Sequence, residues 1–400
     1  MKAMGTLTDP LASLFALPES ERRERGLLHT PAEIARQPQA WRTTYKGFCA
    51  ISNSLREFLR EHNIVPGTSR ELTIVLVGAG SSDHVAHAVE ALLREKWQCE
   101  ALSLPSTDLL TNIEDVLLPG HRYLFVSLSR SGESPEAIAV LERARQLYRE
   151  VPHILVTCNA KSRMANLFRD DSRFFSIVLD DFVNDRGLAL TSSVTSMLIT
   201  LQALANIDSL DSYGSIVEQI SACAEEFVPQ AAALAEQISK LDCSRACFLG
   251  DGTLNAVARE AGLKVLELTA GNVMTLAQSH LGLRHGPMSA LDASTVVVSY
   301  ISSDERRRKY ERDLLIELER KQLGMTRIAI VPSRSSEHLP VDHVLSLNCG
   351  TKLTDDERLP LDVIFAQLLG LFLSIQNGLK PDRPSPKGVI NPVVPPFEVY

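Results

Sequence analysis

Between about residues 68 and 207, short apolar runs alternate with amphipathic stretches. The runs 72–77, 100–104, 123–128, 153–157 and 174–179 have the length and near-continuous apolar character of strands buried on both faces. Residues 83–96, 135–150, 160–168 and 192–205 carry helical spacing. A β-α-β succession of this kind predicts a parallel sheet with helices on both faces. The polar segment 208–215 reads as a break, followed by a long amphipathic helix over about 216–241. The rhythm then returns, with strands at 247–250, 295–301, 326–331 and 344–347. Its helices are 254–269, a strongly charged 304–322 and an apolar, hence buried, 361–376.

The halves echo one another, since FLGDGTLNAVARE at 248–260 repeats the strand, Gly-x-Gly and helix of VLVGAGSSDHVAH at 75–87. The expected fold class is α/β, with one doubly wound parallel sheet in each of two tandem domains. The expected boundaries are an N-terminal arm 1–45, a first domain 46–210, a second domain 211–378 and a proline-rich C-terminal arm 379–400 that docks on a surface.

The most informative chemistry lies in YLFVSLSRSGESPE, where the strand at 123–128 runs into Ser129, Ser131, Gly132 and Ser134, and Pro135 opens a helix. Helix N-termini present unpaired backbone N–H groups and a partial positive charge, and serine hydroxyls add small donors. A single serine there is ordinarily a helix cap. Three hydroxyls and a glycine together, after a buried strand, point to a phosphate. Neither a P-loop G-K-[ST] nor a G-x-G-x-x-G fingerprint is present in this turn, so a sugar phosphate fits better than a nucleotide. Gly78, Gly80, Ser81 and Ser82 repeat the arrangement after the first strand, and two such turns at the carboxyl ends of parallel strands can converge on one ligand. No such turn follows the strand at 295–301, which assigns the phosphate to the first half.

A net charge of −8 argues against nucleic acid or an anionic membrane as partner. The seven cysteines form no C-x-x-C pair and are expected to be reduced. The N-terminus lacks a long apolar h-region and no later run is expected to reach the length of a membrane span, so the cytoplasm is the expected compartment. Asp83, His84 and His87 do not have metal-site spacing, and neither a metal nor a cofactor is expected.

GAGSSD together with SRSGESPE resembles the sugar isomerase (SIS) domain, and its repetition resembles tandem enzymes such as the isomerase half of glucosamine-6-phosphate synthase. HTPAEIARQPQAW resembles the N-terminal arm of those enzymes. NDRGLALTSSVTSML, REAGLKVLELTAG and LGLRHGPMSALD resemble the tagatose-6-phosphate ketose/aldose isomerase, or galactosamine-6-phosphate deaminase/isomerase, family. This resemblance implies that Gly80, Ser81, Ser82, Ser129, Arg130, Ser131 and Ser134 hold the sugar phosphate, with Thr191 and Ser192 near a further sugar contact. It implies that Glu267 moves the proton between C1 and C2. His285 would assist ring opening, often from a neighbouring subunit of a homodimer or larger homo-oligomer. Lys387 is the nearest counterpart of a C-terminal lysine that enters the site.

The chemistry agrees with those roles. Aldose–ketose interconversion through an enediol needs one base placed to move a carbon-bound proton to the adjacent carbon, and ring opening needs a second acid–base group. Without the resemblance, Glu267 would read as a helix carboxylate paired with Lys264, and His285 as a loop histidine bonded to backbone. The expected substrate is a phosphorylated hexose or hexosamine. The leading function is conversion of galactosamine 6-phosphate to tagatose 6-phosphate and ammonia. The alternatives are ketose/aldose isomerisation without deamination and a non-catalytic sugar-phosphate sensor, which would not need the proton-transfer pair.

Overall fold

A computed structural model of the chain describes residues 9–148, 150–332, 338–350, 352–391 and 393–399. Both sheets are wholly parallel. The first contains β1 (Leu72–Gly78), β2 (Glu100–Pro105), β3 (Arg122–Leu128), β4 (His153–Thr157) and β5 (Phe174–Val178), in the order β2-β1-β3-β4-β5. The second contains β6 (Arg245–Leu249), β7 (Met274–Gln278), β8 (Thr295–Tyr300), β9 (Thr326–Val331) and β10 (His343–Ser346), in the order β10-β9-β8-β6-β7. Read from β7, the second order repeats the first. Tandem α/β domains were expected, and these are their sheets.

The chain divides into two compact units that are not sequential blocks. The first comprises Gln39–Asn184, Ser192–Glu218 and the described residues from Ile390 onwards. The second comprises the described residues up to Pro38, then Asp185–Thr191 and Gln219–Val389.

In the first unit every residue of β1 is buried, as a central strand between helical layers requires. The helix Ser81–Trp97 packs against Ser192–Ala205, whose fourteen residues are all buried. Trp97 donates its indole N–H to the Leu204 carbonyl at 3.3 Å. In the second unit the helices Leu254–Leu268 and Asp355–Gln376 pack closely over the sheet. A Cβ on Gly370 would come within 2.7 Å of Leu268 and 3.2 Å of the Lys264 carbonyl oxygen, so this crossing needs glycine.

Several expectations required correction. β7 was not expected, because this edge strand is only partly buried and MTLAQ lacks an apolar alternation. The helix Ser106–Val116 was also unread; only Ser106, Leu109 and Ile113 are buried in it. The polar segment 208–215 is not a break, since helix Leu210–Ser239 runs through it. Tyr213 anchors it by donating to Gln202 Oε1 at 2.8 Å, and Tyr45 donates to the Leu210 carbonyl at 2.8 Å. Cys223 and Cys349, expected reduced, form a disulfide with Cα atoms 4.9 Å apart. They stand 126 positions apart, beyond any local spacing rule.

Contrary to expectation, one helix, Asp355–Gln376, is long and apolar enough to cross a membrane by length and composition. It is a core helix, buried over 89% of its most apolar window, and it carries the fully buried Arg358–Asp362 ion pair.

Candidate functional site

β1 and β3 are neighbours, with Val77 opposite Ser127, so the turns following them leave the same sheet edge side by side. The connections from these strands run to opposite sides of the sheet, which makes this edge its topological switch point. After β1 the backbone turns sharply. Gly80 precedes the helix with φ +56°, and a Cβ on Gly78 would lie 2.5 Å from the Ser82 carbonyl carbon. Ser81 and Ser82 are buried in the first helical turn, and Gly80 is exposed.

The second turn is braced by the loop after β4. The Arg130 carbonyl accepts from Cys158 N–H at 3.0 Å and from Thr157 Oγ1 at 3.2 Å, and Asn159 donates to the Ser131 carbonyl at 3.1 Å. Gly132 has φ +63° and lies against Ser162, where a Cβ would come within 2.5 Å of two side-chain atoms. Two hydroxyls also serve the turn itself: Ser129 Oγ accepts from Gly132 N–H at 3.1 Å and Ser131 Oγ from Glu133 N–H at 3.2 Å. Each hydroxyl retains a proton to donate. Ser134 stands at the N-cap of Pro135–Leu147 without a side-chain cap hydrogen bond. Arg130 and Ser131 are half-buried. At the chain's other end, Pro396, Phe397 and Val399 line a groove with Glu133, Pro135 and Ile138 beside this turn. Tyr400, also part of the expected arm, lies outside the described residues.

Thr191 is fully buried and committed to Asp185, to which its N–H donates at 2.8 Å and its hydroxyl at 3.2 Å. Ser192 is fully buried at the start of its helix. Asp185 opens a tightly held loop in the second unit: Glu33 accepts from Arg186 N–H at 2.5 Å, and the Asp382 carboxylate accepts from the N–H groups of Leu28, His29 and Thr30 at 2.8–3.2 Å. Burial, with the Asp185 charge beside it, pushes the Glu33 carboxyl up to about 7. Lys387 is exposed on a turn closed by Gly388 N–H to the Ser385 carbonyl at 3.0 Å.

Glu267 lies in the last turn of Leu254–Leu268 with its side chain 24% exposed. Lys264, one helical turn earlier and fully buried, donates to Glu267 Oε2 at 2.6 Å and lies 3.4 Å from Glu260 Oε1. Burial alone would lower the Lys264 pKa, but the two carboxylates outweigh it and hold the ammonium above its ordinary value. The pair expected of a structural carboxylate is therefore present. Lys264 binds only one oxygen, Oε2, of this partly exposed carboxylate. His285 is exposed after the short helix His280–Leu283, and among the described residues its ring has no hydrogen-bond partner. Gly286, with φ +118°, turns the chain behind it.

Lys264 was read from the sequence only as a surface partner, although its i−4 and i+3 spacing to Glu260 and Glu267 was legible. The Asp251, His280 and Glu311 grouping was not read at all.

Residues 69–207 match the SIS domain family. The chain is 33% identical over 367 residues to the D-galactosamine-6-phosphate deaminase AgaS of Escherichia coli O157:H7, covering 91% of this chain and 94% of that relative. It is 32% identical over 406 residues to the protein of the same name from Shewanella sp. strain ANA-3, covering 98% and 99% of the two chains. Its fold matches the crystal structure of tagatose-6-phosphate ketose/aldose isomerase from Escherichia coli with a TM-score of 0.82 and 32% identity, over 90% of this chain and 95% of that one.

Proposed function

This chain belongs to the SIS-domain family that includes the D-galactosamine-6-phosphate deaminases, and on that footing we propose that it is an enzyme converting galactosamine 6-phosphate and water to tagatose 6-phosphate and ammonia. The observation that carries this reading is likeness over nearly the whole length of relatives bearing that name. The serine turns after β1 and β3 bind the phosphate through backbone N–H groups and the hydroxyls of Ser81, Ser82, Ser131 and Ser134. Ring opening, assisted by His285, yields the open-chain aldehyde. Glu267 removes the C2 proton to give an enolamine, and protonation at C1 leaves an imine at C2 that water hydrolyses, releasing ammonia. Lys264 acts through Glu267 by fixing one carboxylate oxygen and leaving the other for the proton.

In this reading the protein works in the cytoplasm as a homo-oligomer. His285, exposed and without a ring partner among the described residues, serves the site of a neighbouring subunit. Mixing inactive Ser131→Ala/Ser134→Ala protein with inactive His285→Ala protein should then restore part of the activity. Continued inactivity after proven subunit exchange would reject the sharing.

A second reading, isomerisation of tagatose 6-phosphate without deamination, is favoured by the name of the Escherichia coli structure and would use the same acid–base set. Incubation with galactosamine 6-phosphate, and separately with glucosamine 6-phosphate, decides between them when ammonia and ketose 6-phosphate are both measured. The first reading expects equimolar ammonia and ketose from the galacto substrate. Ketose/aldose interconversion without ammonia release would replace it with the second, and binding without turnover would make the chain a sensor.

A further inference from the structure

His285 follows a single turn of helix, His280–Leu283, which is too short to persist without outside support. Its backbone bonds are local. Ser279 Oγ accepts from Gly282 N–H at 3.0 Å, the Ser279 carbonyl from Leu283 N–H at 3.0 Å, and the Gly282 carbonyl from His285 N–H at 3.0 Å. The place of His285 therefore depends on what fastens this turn to the rest of the second unit.

Three side chains do so. Leu283 is fully buried in one apolar cluster with Leu314 and Leu318 of the helix Glu305–Arg320. Arg284 donates through Nε to Glu317 Oε2 of the same helix at 2.7 Å, but both side chains are partly exposed, and such pairs hold weakly. The third is His280. β6 and β7 end in register, Leu249 opposite Gln278, and Gly250 N–H extends the pairing to the Gln278 carbonyl at 3.1 Å. Asp251 and His280 each stand two residues beyond their strand, and His280 Nδ1 lies 2.6 Å from Asp251 Oδ2. A carboxylate only accepts, so Nδ1 carries the proton. The ring is fully buried and its Nε2 has no partner, so among the described residues Asp251 is the ring's one polar attachment. Apolar burial at Leu283 is non-directional, whereas this hydrogen bond to a carboxylate is strong and directional, and it sets the orientation of the turn.

We propose that Asp251 is a positioning residue for ring opening: by holding the buried His280 ring it fixes the turn that presents His285, five residues further on. The proposal rests on the role given above to His285. Asp251 acts through His280 and the backbone of 280–285, all within the second unit.

Asp251→Ala, at a partly exposed position and therefore expected to fold, removes the acceptor, whereas Asp251→Asn keeps an oxygen that can accept from Nδ1. In the full-length protein, amide hydrogen exchange over 279–289, read by mass spectrometry, should quicken by at least about 10-fold in Asp251→Ala and stay near wild type in Asp251→Asn. With galactosamine 6-phosphate as substrate, Asp251→Ala should lower kcat by about 10- to 100-fold at unchanged KM, and Asp251→Asn should recover most of that loss. The rise of Tm with inorganic phosphate should be the same in all three proteins. His280→Leu, which fills the buried volume without an anchor, should reproduce both effects of Asp251→Ala. Wild-type exchange over 279–289 in Asp251→Ala, or equal losses of kcat in Asp251→Ala and Asp251→Asn, would overturn the proposal. So would a loss that spread to exchange throughout the second unit and to the phosphate response, since Asp251 would then serve stability alone. The exchange measurement needs no substrate: a wild type that turned over no amino-sugar phosphate would remove the reaction proposed above, whereas normal turnover with unchanged exchange in Asp251→Ala would overturn only the role of Asp251.

Discussion

The first sheet presents hydroxyls and amides at its carboxyl edge, whereas the second, with the same strand order, presents Asp251, His280 and Ser302 there, with Glu311 reaching back to Ser302. Topology fixes where a ligand can sit, since the switch point follows from the order of connections. Side chains then decide its charge. A serine-lined turn at a helix N-terminus suits an anion, whereas the second edge gathers the partly exposed Asp251 with the buried His280 and Glu311. One scaffold used twice can thus present edges of different chemistry without altering its backbone plan.

The sharpest way to break this contrast is to neutralise Glu267, the proposed proton carrier of the second unit. Glu267→Gln should lower turnover by about 100-fold to 10,000-fold and abolish solvent-deuterium exchange at substrate C2, while inorganic phosphate still protects the protein from thermal unfolding. Near-normal exchange would remove Glu267 from the chemistry. The next effect is on stability. Lys264→Met leaves Glu260 buried beside a lost partner, which costs about 3–5 kcal/mol by analogy with other broken buried pairs. Adding Glu260→Gln to that variant should recover part of the loss in denaturant titrations; no recovery would mean that the ammonium is held by other forces.

What was legible in the sequence followed the range of the forces involved. The serine turns were readable because strand, glycine, hydroxyl and proline lie within a dozen residues. The Glu260–Lys264–Glu267 arrangement was half-readable, since helical spacing brings the side chains together but does not reveal that Lys264 is fully buried. Asp251, His280 and Glu311 were invisible. They come from three separate connections that only the order of β6, β7 and β8 unites, and the unread β7 supplies the position of His280. The Cys223–Cys349 pair failed for the same reason. The helix through 208–215 was missed because local polarity was read as a break, whereas Tyr45 and Tyr213 hold the segment by tertiary hydrogen bonds.

The two units should also differ in their response to pH. Glu33 of the second unit has a folded pKa of about 7, raised above the usual 4.5 by burial and the Asp185 charge. The stability tied to it is fully present below about pH 4.5 and is lost as pH rises through 7, amounting to at most about 3 kcal/mol. His153 of the first unit has the opposite sign: burial, then Arg145, lowers it from 6.5 to about 3, so its contribution is present above pH 6.5 and is lost as pH falls toward 3. Amide exchange measured across pH 4–8 should show Glu33→Gln flattening the neutral-side loss in the second unit. His153→Leu should flatten the acid-side loss in the first. Parallel slopes in both variants would show that these groups do not set the difference.

The smallest effects distinguish hydroxyls that build the first sheet's edge from those that bind there. Ser129 is buried and its Oγ accepts from Gly132 N–H, so Ser129→Ala removes a brace from a turn already held at positive φ. That variant should lose about 1 kcal/mol of stability. Ser131 is half-buried, and its Oγ accepts from the exposed Glu133, whose N–H can turn to water instead. Ser131→Ala should therefore leave stability nearly unchanged and weaken phosphate binding, by about 1–3 kcal/mol if its hydrogen bond to the charged group is buried. Ser81→Ala should behave likewise on the β1 side. Titrating inorganic phosphate while following Tm reads both quantities at once: the zero-phosphate Tm reports the brace, and the rise with phosphate reports binding. An unchanged phosphate response in both Ser131→Ala and Ser81→Ala would mean that the hydroxyls only shape the turns, leaving the backbone N–H groups and Arg130 to carry the anion.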